Sequence, residues 1–401
     1  MQTFKYTARD KSTNKIVKST ITAQSESEAA KILMAQKIVP TKLEAAGSGS
    51  GGLEALRSRV SAKDRVIFTR QLATMINAGL PLAQSLNTVQ DQTANKALKN
   101  IIGEVAGDVN GGTALSDSFA KHPKVFNNVY IALVEAGEAS GTLDKSLERL
   151  AAQQEHDADM LSKIRGAMMY PAIVLAVIVG VVGFMLVMLV PQVESLYADM
   201  NRMLPLQTRI LVAIANFFIN RWYIVLLVMI GVVFLLRRWI QTESGRRAWD
   251  SFKLNMPLFS PLFRKLYMAR FSRTSEVLLS SGVPMLESLK ISADATNNVV
   301  VRDAILRSAN KVKNGKPLSE GLEAEENILP FVPQMVKIGE TAGGVDTMLG
   351  KVADYYEKEV DNAIKSISTL IEPILMVIMA GLIGFIVLAV LLPIYALSDS
   401  V

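Results

Sequence analysis

The chain of 401 residues contains no cysteine. Disulfides, thiolate nucleophiles and thiolate metal sites are therefore excluded. Histidine is almost as scarce. His122 and His156 both stand in polar stretches, and no His-x-x-x-His spacing occurs. Each reads as a surface histidine, and no metal or other cofactor is expected. Gly315-Lys316-Pro317 lacks the earlier glycine and the following hydroxyl residue of a phosphate-binding loop. No Gly-x-Ser-x-Gly elbow and no His-Glu-x-x-His pair is found. Catalysis is thus not expected, and a chain of this kind that moves material would draw its energy from a partner. The first ten residues, MQTFKYTARD, are polar, so no cleavable signal peptide is expected and internal apolar helices are left to direct targeting.

Long apolar runs are what the chain does have. Ala172–Val190 is nineteen residues without a charged or polar side chain, between Pro171 and Pro191. At about 1.5 Å per residue, a helix of this length covers the roughly 30 Å hydrocarbon core of a bilayer. Lipid offers the backbone no partners, so such a run crosses as a helix. Ile374–Leu392 has the same length and is bracketed by Pro373 and Pro393. A third run, Tyr223–Leu236, is shorter, with Arg221 and Trp222 before it and Arg237, Arg238 and Trp239 after. Snorkelling arginines and interfacial tryptophans make it long enough to span, against the alternative of a buried or interfacial helix. The net charge is +6, and the basic residues gather beside these runs, which favours a membrane-orientation signal over nucleic-acid binding.

Between the runs the pattern is mostly helical. Residues 3–44 are the exception and read as a small α/β module. Phe4, Tyr6 and Ala8 alternate with polar residues as in a half-buried strand, and Ile16–Ile21 and Ile38–Leu43 are further strand candidates. Ser25 to Glu28 has capping-box spacing and opens a predicted helix to about Gln36. Ala45–Gly52, AAGSGSGG, has the composition of a flexible linker. From Ser61 onward, Phe68, Leu72, Met75 and Ile76 recur at helical spacing until Gly79 and Pro81. Further helices are predicted over Leu82–Val89, Lys96–Val109, Leu115–Ala120 and Val129–Glu135. A last one runs from near Thr142 into the membrane, with Pro171 as a stop or a kink.

The two helical segments repeat each other. Phe68-Thr69-Arg70 matches Phe271-Ser272-Arg273, and Ala78-Gly79-Leu80-Pro81 matches Ser281-Gly282-Val283-Pro284, both at an offset of 203. Gly112, Leu115 and Ser116 match Gly315, Leu318 and Ser319. After a one-residue slip, Gly137, Glu138, Gly141 and Asp144 match Gly339, Glu340, Gly343 and Asp346. A period near 200 is a domain duplication rather than a solenoid. Each copy is a helical bundle followed by a span, and the third apolar run returns the chain between them. The positive-inside rule then places the N-terminus and both bundles in the cytoplasm and the C-terminus outside it. Lys163 and Arg165 precede the first span, a basic cluster follows the second, and no Lys or Arg follows the third.

The expected fold is mainly α, an integral membrane protein with two homologous cytoplasmic helical bundles, three transmembrane helices and the small α/β module. The module covers 1–44, a flexible linker 45–60, the first bundle 61–167 and the first span 168–191. An extracytoplasmic loop covers 192–221, the second span 222–240, the second bundle 241–370, the third span 371–393 and an extracytoplasmic tail 394–401.

Two polar features stand out. Gly137–Asp144 and its echo Gly339–Asp346 read either as a helix C-cap, tight turn and new helix, or as a bend whose Glu138 and Glu340 contact a partner or the other domain. A carboxylate-bound cation is a weaker third reading. Glu372 stands at the entry to the third span, where its counterpart is Tyr170. It either reaches headgroup water or faces inward to meet a positive group on a client helix.

At these residues the chain resembles the type II secretion system protein F family, which includes the inner-membrane platform proteins of type IV pili. The Gly-Glu-x-Ser-Gly-x-Leu-Asp pattern is present at Gly137–Asp144. The second copy departs from it with Ala342 and Val345. Tyr170-Pro171, Glu372-Pro373 and Leu392-Pro393-Ile394-Tyr395 are similar to the family's span-flanking pairs, and the closing segment leans to the pilus branch. The resemblance implies a non-enzymatic platform that couples a cytoplasmic hexameric ATPase to insertion of pilin or pseudopilin subunits into a filament. It also implies contact with other inner-membrane components of the machine and a homo-oligomer, as a dimer, in the lipid bilayer. Small-solute transport is the competing reading, but it wants more spans and polar residues within them.

Overall fold

The computed structural model describes residues 2–10, 16–23, 32, 38–45, 60–199 and 206–398. They form two compact units, residues 1–61 with 93–100, and residues 62–92 with 101–401.

In the first unit, β1 (Gln2–Asp10), β2 (Ile16–Ala23) and β3 (Ile38–Ala45) make an antiparallel sheet in the order β2-β1-β3. The register of β1 against β3 shifts between Thr7 and Ala8, where Pro40 lies opposite Ala8. Proline has no amide for the ladder, which confines it to edges and bulges. The strands expected at Ile16 and Ile38 are present, each two residues longer than expected. The helix expected from Ser25 to Gln36 and the linker from residue 46 onward lie outside the described residues, apart from the helical Ile32.

The second unit is built from the duplication, except that residues 93–100 of the first copy fall in the first unit. The first copy holds α1 (Ala62–Asn77), α2 (Leu82–Gln92), α3 (Lys96–Asn110), α4 (Leu115–Ala120), α5 (Asn128–Ser140) and α6 (Leu143–Asp199). Then come α7 (Leu206–Ile240) and α8 (Glu243–Asn255). The second copy holds α9 (Ser260–Ser280), α10 (Met285–Ala295), α11 (Val299–Lys313), α12 (Leu318–Glu323), α13 (Phe331–Ala342) and α14 (Val345–Ser398). Among the described residues, the glycines with positive φ are Gly79, Gly112, Gly141, Gly282, Gly315 and Gly343. They fall into the three pairs that the sequence repeat defines, and each closes a helix where a Cβ would be strained.

The two cores differ in filling. In the first copy Phe68, Phe119, Phe126 and Tyr130 form an aromatic cluster, with Phe119 and Phe126 centroids 4.3 Å apart. Phe68 keeps its counterpart in Phe271, whereas Leu322 stands for Phe119, and the second core is largely aliphatic. In both copies an arginine pins the first helix to the last. Arg70 binds Glu148 and Glu155, each at 2.5 Å. Arg273 binds Asp354 at 2.5 Å and Glu357 at 2.9 Å.

Among the described residues, three helices are long and apolar enough to cross a membrane, over Leu143–Gln192, Arg221–Ile240 and Val345–Leu388. Their apolar side chains are largely exposed, as lipid-facing helices require. Pro171 does not stop the helix, so the expected run from near Thr142 into the membrane holds. Pro171 and Pro191 lie inside α6, and α14 continues through Pro373 and Pro393. Each proline forfeits one hydrogen bond, a local loss that a long apolar helix in lipid tolerates. The loop expected at 192–221 is also mostly helical. α6 continues to Asp199, α7 starts at Leu206, and Arg221 sits at a kink inside α7 with φ −128°. Val190 packs with Val212 and Ala215, so the two helices are already paired beyond the apolar run. The tail expected from residue 394 is helical to Ser398.

Candidate functional site at the seam between the copies

The Gly137–Asp144 motif resolves residue by residue. α4 has only six residues, and the residue before it, Ala114, carries no side chain that can cap it. Glu138, on α5, supplies the missing acceptor. Its Oε1 accepts from the Leu115 amide at 2.6 Å, and its Oε2 accepts from the Ser116 amide at 2.9 Å and the Ser116 hydroxyl at 2.6 Å. The second copy repeats this with Pro317 before α12. Glu340 accepts from the Leu318 amide at 2.5 Å, the Ser319 amide at 3.4 Å and the Ser319 hydroxyl at 2.5 Å. A carboxylate at a helix N-terminus satisfies orphan amides and meets the positive end of the dipole.

Gly137 and Gly339 are close-approach glycines rather than turn residues. A Cβ on Gly137 would come within 2.7 Å of Ser146 Cβ, and one on Gly339 within 2.8 Å of Val345 Cα. Gly141 and Gly343 hold the left-handed caps, with φ 69° and 75°. Asp144 and Asp346 lie in the first turns of α6 and α14. Every member of the motif is thus placed within its own copy.

The opposite side of the same α5 faces the second copy. Ala132, Ala136 and Ala139 line a cavity of about 360 Å³ with Gly282, Val283 and Pro284 of the turn between α9 and α10. Along α6, residues one helical turn apart extend this seam. Arg149 Nη1 donates to the Ser280 carbonyl at 2.5 Å and to Ser281 Oγ at 3.1 Å, closing the C-terminus of α9. Gln153 Nε2 donates to Thr274 Oγ1 at 2.9 Å, and Arg270 lies 3.8 Å from Asp157. Further on, Lys163 Nζ donates to Asp361 of α14 at 2.7 Å. A second cavity of about 360 Å³ opens between Arg65, Gln153, Asp157 and Arg270. Arg65 Nε, Gln153 Oε1 and Arg270 Nε are buried there without a protein hydrogen-bond partner. A polar cavity of this size takes ordered water.

Glu372 and Tyr170 are both exposed on their helices. The Glu372 side chain therefore does not face the interior of its own chain. Of the two histidines, His156 is exposed. His122 is partly covered and faces the exposed Glu104 at 3.4 Å. The seam residues Arg149, Gln153 and Asp157 were not singled out from the sequence. They stand where the two copies differ, with Lys351, Tyr355 and Glu359 at the matching positions. That departure from the repeat is the signal that could have found them.

The family described as type II secretion system (T2SS), protein F, matches residues 68–191 and 271–393, one stretch in each copy, and its N-terminal domain matches residues 1–44. The type IV pilus assembly protein PilC of Thermus thermophilus is 39% identical over 100% of this chain and 99% of its own length. PilC of Myxococcus xanthus is also 39% identical, over 88% of this chain and 83% of its own. The type II secretion system protein F of Pseudomonas aeruginosa is 32% identical over the whole of both chains. The paired caps, the duplicated bundles and the matched stretches agree: the chain belongs to the type II secretion system protein F family.

Proposed function

We propose that this chain is a non-enzymatic platform in the inner membrane of a type IV pilus or type II secretion machine. Both bundles face the cytoplasm, where they meet a hexameric ATPase, and the spans guide pilin or pseudopilin subunits into a filament. The observation that carries the reading is the duplication of a bundle joined rigidly to a span. α6 and α14 each run from a bundle into lipid without a break, so a push on a bundle is transmitted along one helix. The names of the relatives, pilus assembly PilC and secretion protein F, support the same reading. Exposed Glu372 sits where a client helix could reach it from the lipid side, and the exposed flank of α5 and α13 is where a partner would meet the bundles.

Deletion of the gene, scored for surface filaments and twitching, tests the function, and normal filaments in the deletion strain would overturn it. Capture of the hexameric ATPase by the full chain in detergent tests the coupling. Glu372→Gln with unchanged filament assembly would remove the role given to that residue.

A further inference from the structure

The helix that follows the second span has no place in the duplication. At the offset of 203 that relates the copies, α8 corresponds to the stretch 40–52, which ends in the glycine-serine linker. It occurs only where a bundle is joined to a span that precedes it. Its seating is tight. Thr242 caps it by accepting from the Gly245 amide at 3.2 Å, and Gly245 lies against the Trp239 carbonyl with no room for a Cβ. The first turn of α8 therefore rests on the last turn of α7. Trp249 follows one turn later, about 6 Å along the helix axis. The headgroup zone beyond the hydrocarbon is roughly 5–8 Å deep on each side. With Trp239 at the end of the apolar run, Trp249 is held at headgroup level whatever the tilt of α8.

The other side of α8 is fixed to the second bundle. Asp250 is 3% exposed and accepts from the Val299 amide at 3.0 Å, while its carbonyl accepts from Asn298 Nδ2 at 3.2 Å. Trp249 and Phe252 are thereby turned outward. They are 37% and 51% exposed, with their rings stacked 5.8 Å apart. Lys253, held by Asp250 at 2.9 Å, lies over the Trp249 ring at 5.9 Å. Arg246 and Arg247 are exposed on the same helix, and exposed Arg237 and Arg238 close α7. Arg247 also pairs with Asp303. Against these cations the exposed acid on α8 is Glu243.

We propose that α8 is an interfacial helix that binds anionic phospholipid headgroups. Trp249 and Phe252 enter the boundary between headgroups and acyl chains, and Arg237, Arg238 and Arg246 sit on the phosphates. Aromatic rings with one wet edge favour that boundary, and basic residues clustered directly after a span attract acidic lipid. Because Asp250 ties α8 to the start of α11, the lipid contact sets the height of the second bundle relative to the bilayer. The proposal rests on α7 crossing the membrane over Arg221–Ile240 and on no role in filament assembly.

The test uses the full chain, purified and reconstituted into vesicles of equal parts phosphatidylcholine and phosphatidylglycerol. Trp222→Phe with Trp239→Phe leaves Trp249 as the sole tryptophan and keeps the backbone contact to Gly245. In one lot the phosphatidylglycerol carries bromine near the headgroup end of its chains, and in the other the phosphatidylcholine does. The expected result is loss of most Trp249 emission in the first lot and a markedly smaller loss in the second. No quenching in either lot overturns the proposal, and a ring that waits for a protein partner would give that result. Equal quenching in both lots overturns the selection of acidic headgroups and the proposal with it. Arg237→Gln, Arg238→Gln and Arg246→Gln together should bring the two lots level, and a difference that persists overturns the role given to the arginines. The chain has no cysteine, so Ala248→Cys in the parent, one turn before Phe252, carries the only thiol. A spin label there should report headgroup depth. A label in bulk water overturns the proposal even where the tryptophan variant fails to fold. Normal filaments in a deletion strain would overturn the proposed function and leave this lipid site standing.

Discussion

Glu138 and Glu340 illustrate how much a single side chain can do at a helix end. Each replaces the capping residue that Ala114 and Pro317 cannot be, from a neighbouring helix rather than from the chain itself. Hydrogen bonds to a charged acceptor contribute about 1.5–3 kcal/mol each, and amides left unpaired cost about 1–3 kcal/mol, so Glu138→Ala should destabilise the first bundle by a few kcal/mol. Thermal unfolding of the purified chain in detergent checks this, and Ser116→Ala should cost less because both amides keep their acceptor. Gly137→Ala should cost about 1–3 kcal/mol through overpacking against Ser146. The motif Gly137–Asp144 was visible in the sequence as a repeated pattern. Its division into a close-approach glycine, a remote cap and a left-handed cap was not, because Glu138 and Ser116 are far apart along the chain and meet only when α4 and α5 pack.

At the scale of the element, the ion cluster that ties α1 to α6 has a pH signature. Hydrogen bonds from Arg70 hold the Glu155 carboxyl below its usual range. A lowered native value means that the pair contributes stability above the unfolded carboxylate value and loses it as pH falls through the native one. Arg70→Met should therefore lower the unfolding temperature near neutral pH, with the difference from the parent shrinking through the acidic range. Melting curves across pH 3–7 would show it. The long helices carry the next prediction. Pro171 interrupts the hydrogen bonding of α6 without ending it, so Pro171→Ala should leave membrane topology unchanged and raise thermal stability, read by reporter fusions and melting. Helix boundaries in the bundles were legible because glycine and proline mark them. The run of α6 into the membrane was legible too, and what stayed open was Pro171, because a proline reads the same in sequence whether it stops a helix or sits within one.

For the whole molecule, the orientation of the two bundles is the testable quantity. Under the proposed function, three crossings with the C-terminus outside would place both bundles on the cytoplasmic side. A phosphatase fusion after residue 398 should be active and a fusion within α11 inactive. The reverse pattern would mean that the duplication does not run parallel. The seam adds a second expectation. Arg149→Ala removes the hydrogen bonds to Ser280 and Ser281 and should loosen one copy from the other, seen as faster amide exchange at the start of α10 with the cores of both bundles unchanged.

The amino-acid sequence by itself determined the spans, the duplication, the bundle helices and their turns. Each of these is a local matter of hydrophobic run length, helical period and the backbone freedom of glycine. Only the tertiary structure decided that α6 carries on through Pro171, that Glu138 caps a helix it does not belong to, and that the copies meet with α6 against α14 and α5 against the turn between α9 and α10. Those outcomes depend on which surfaces come together, and in a duplicated chain nearly identical surfaces compete for the same partner until packing assigns them.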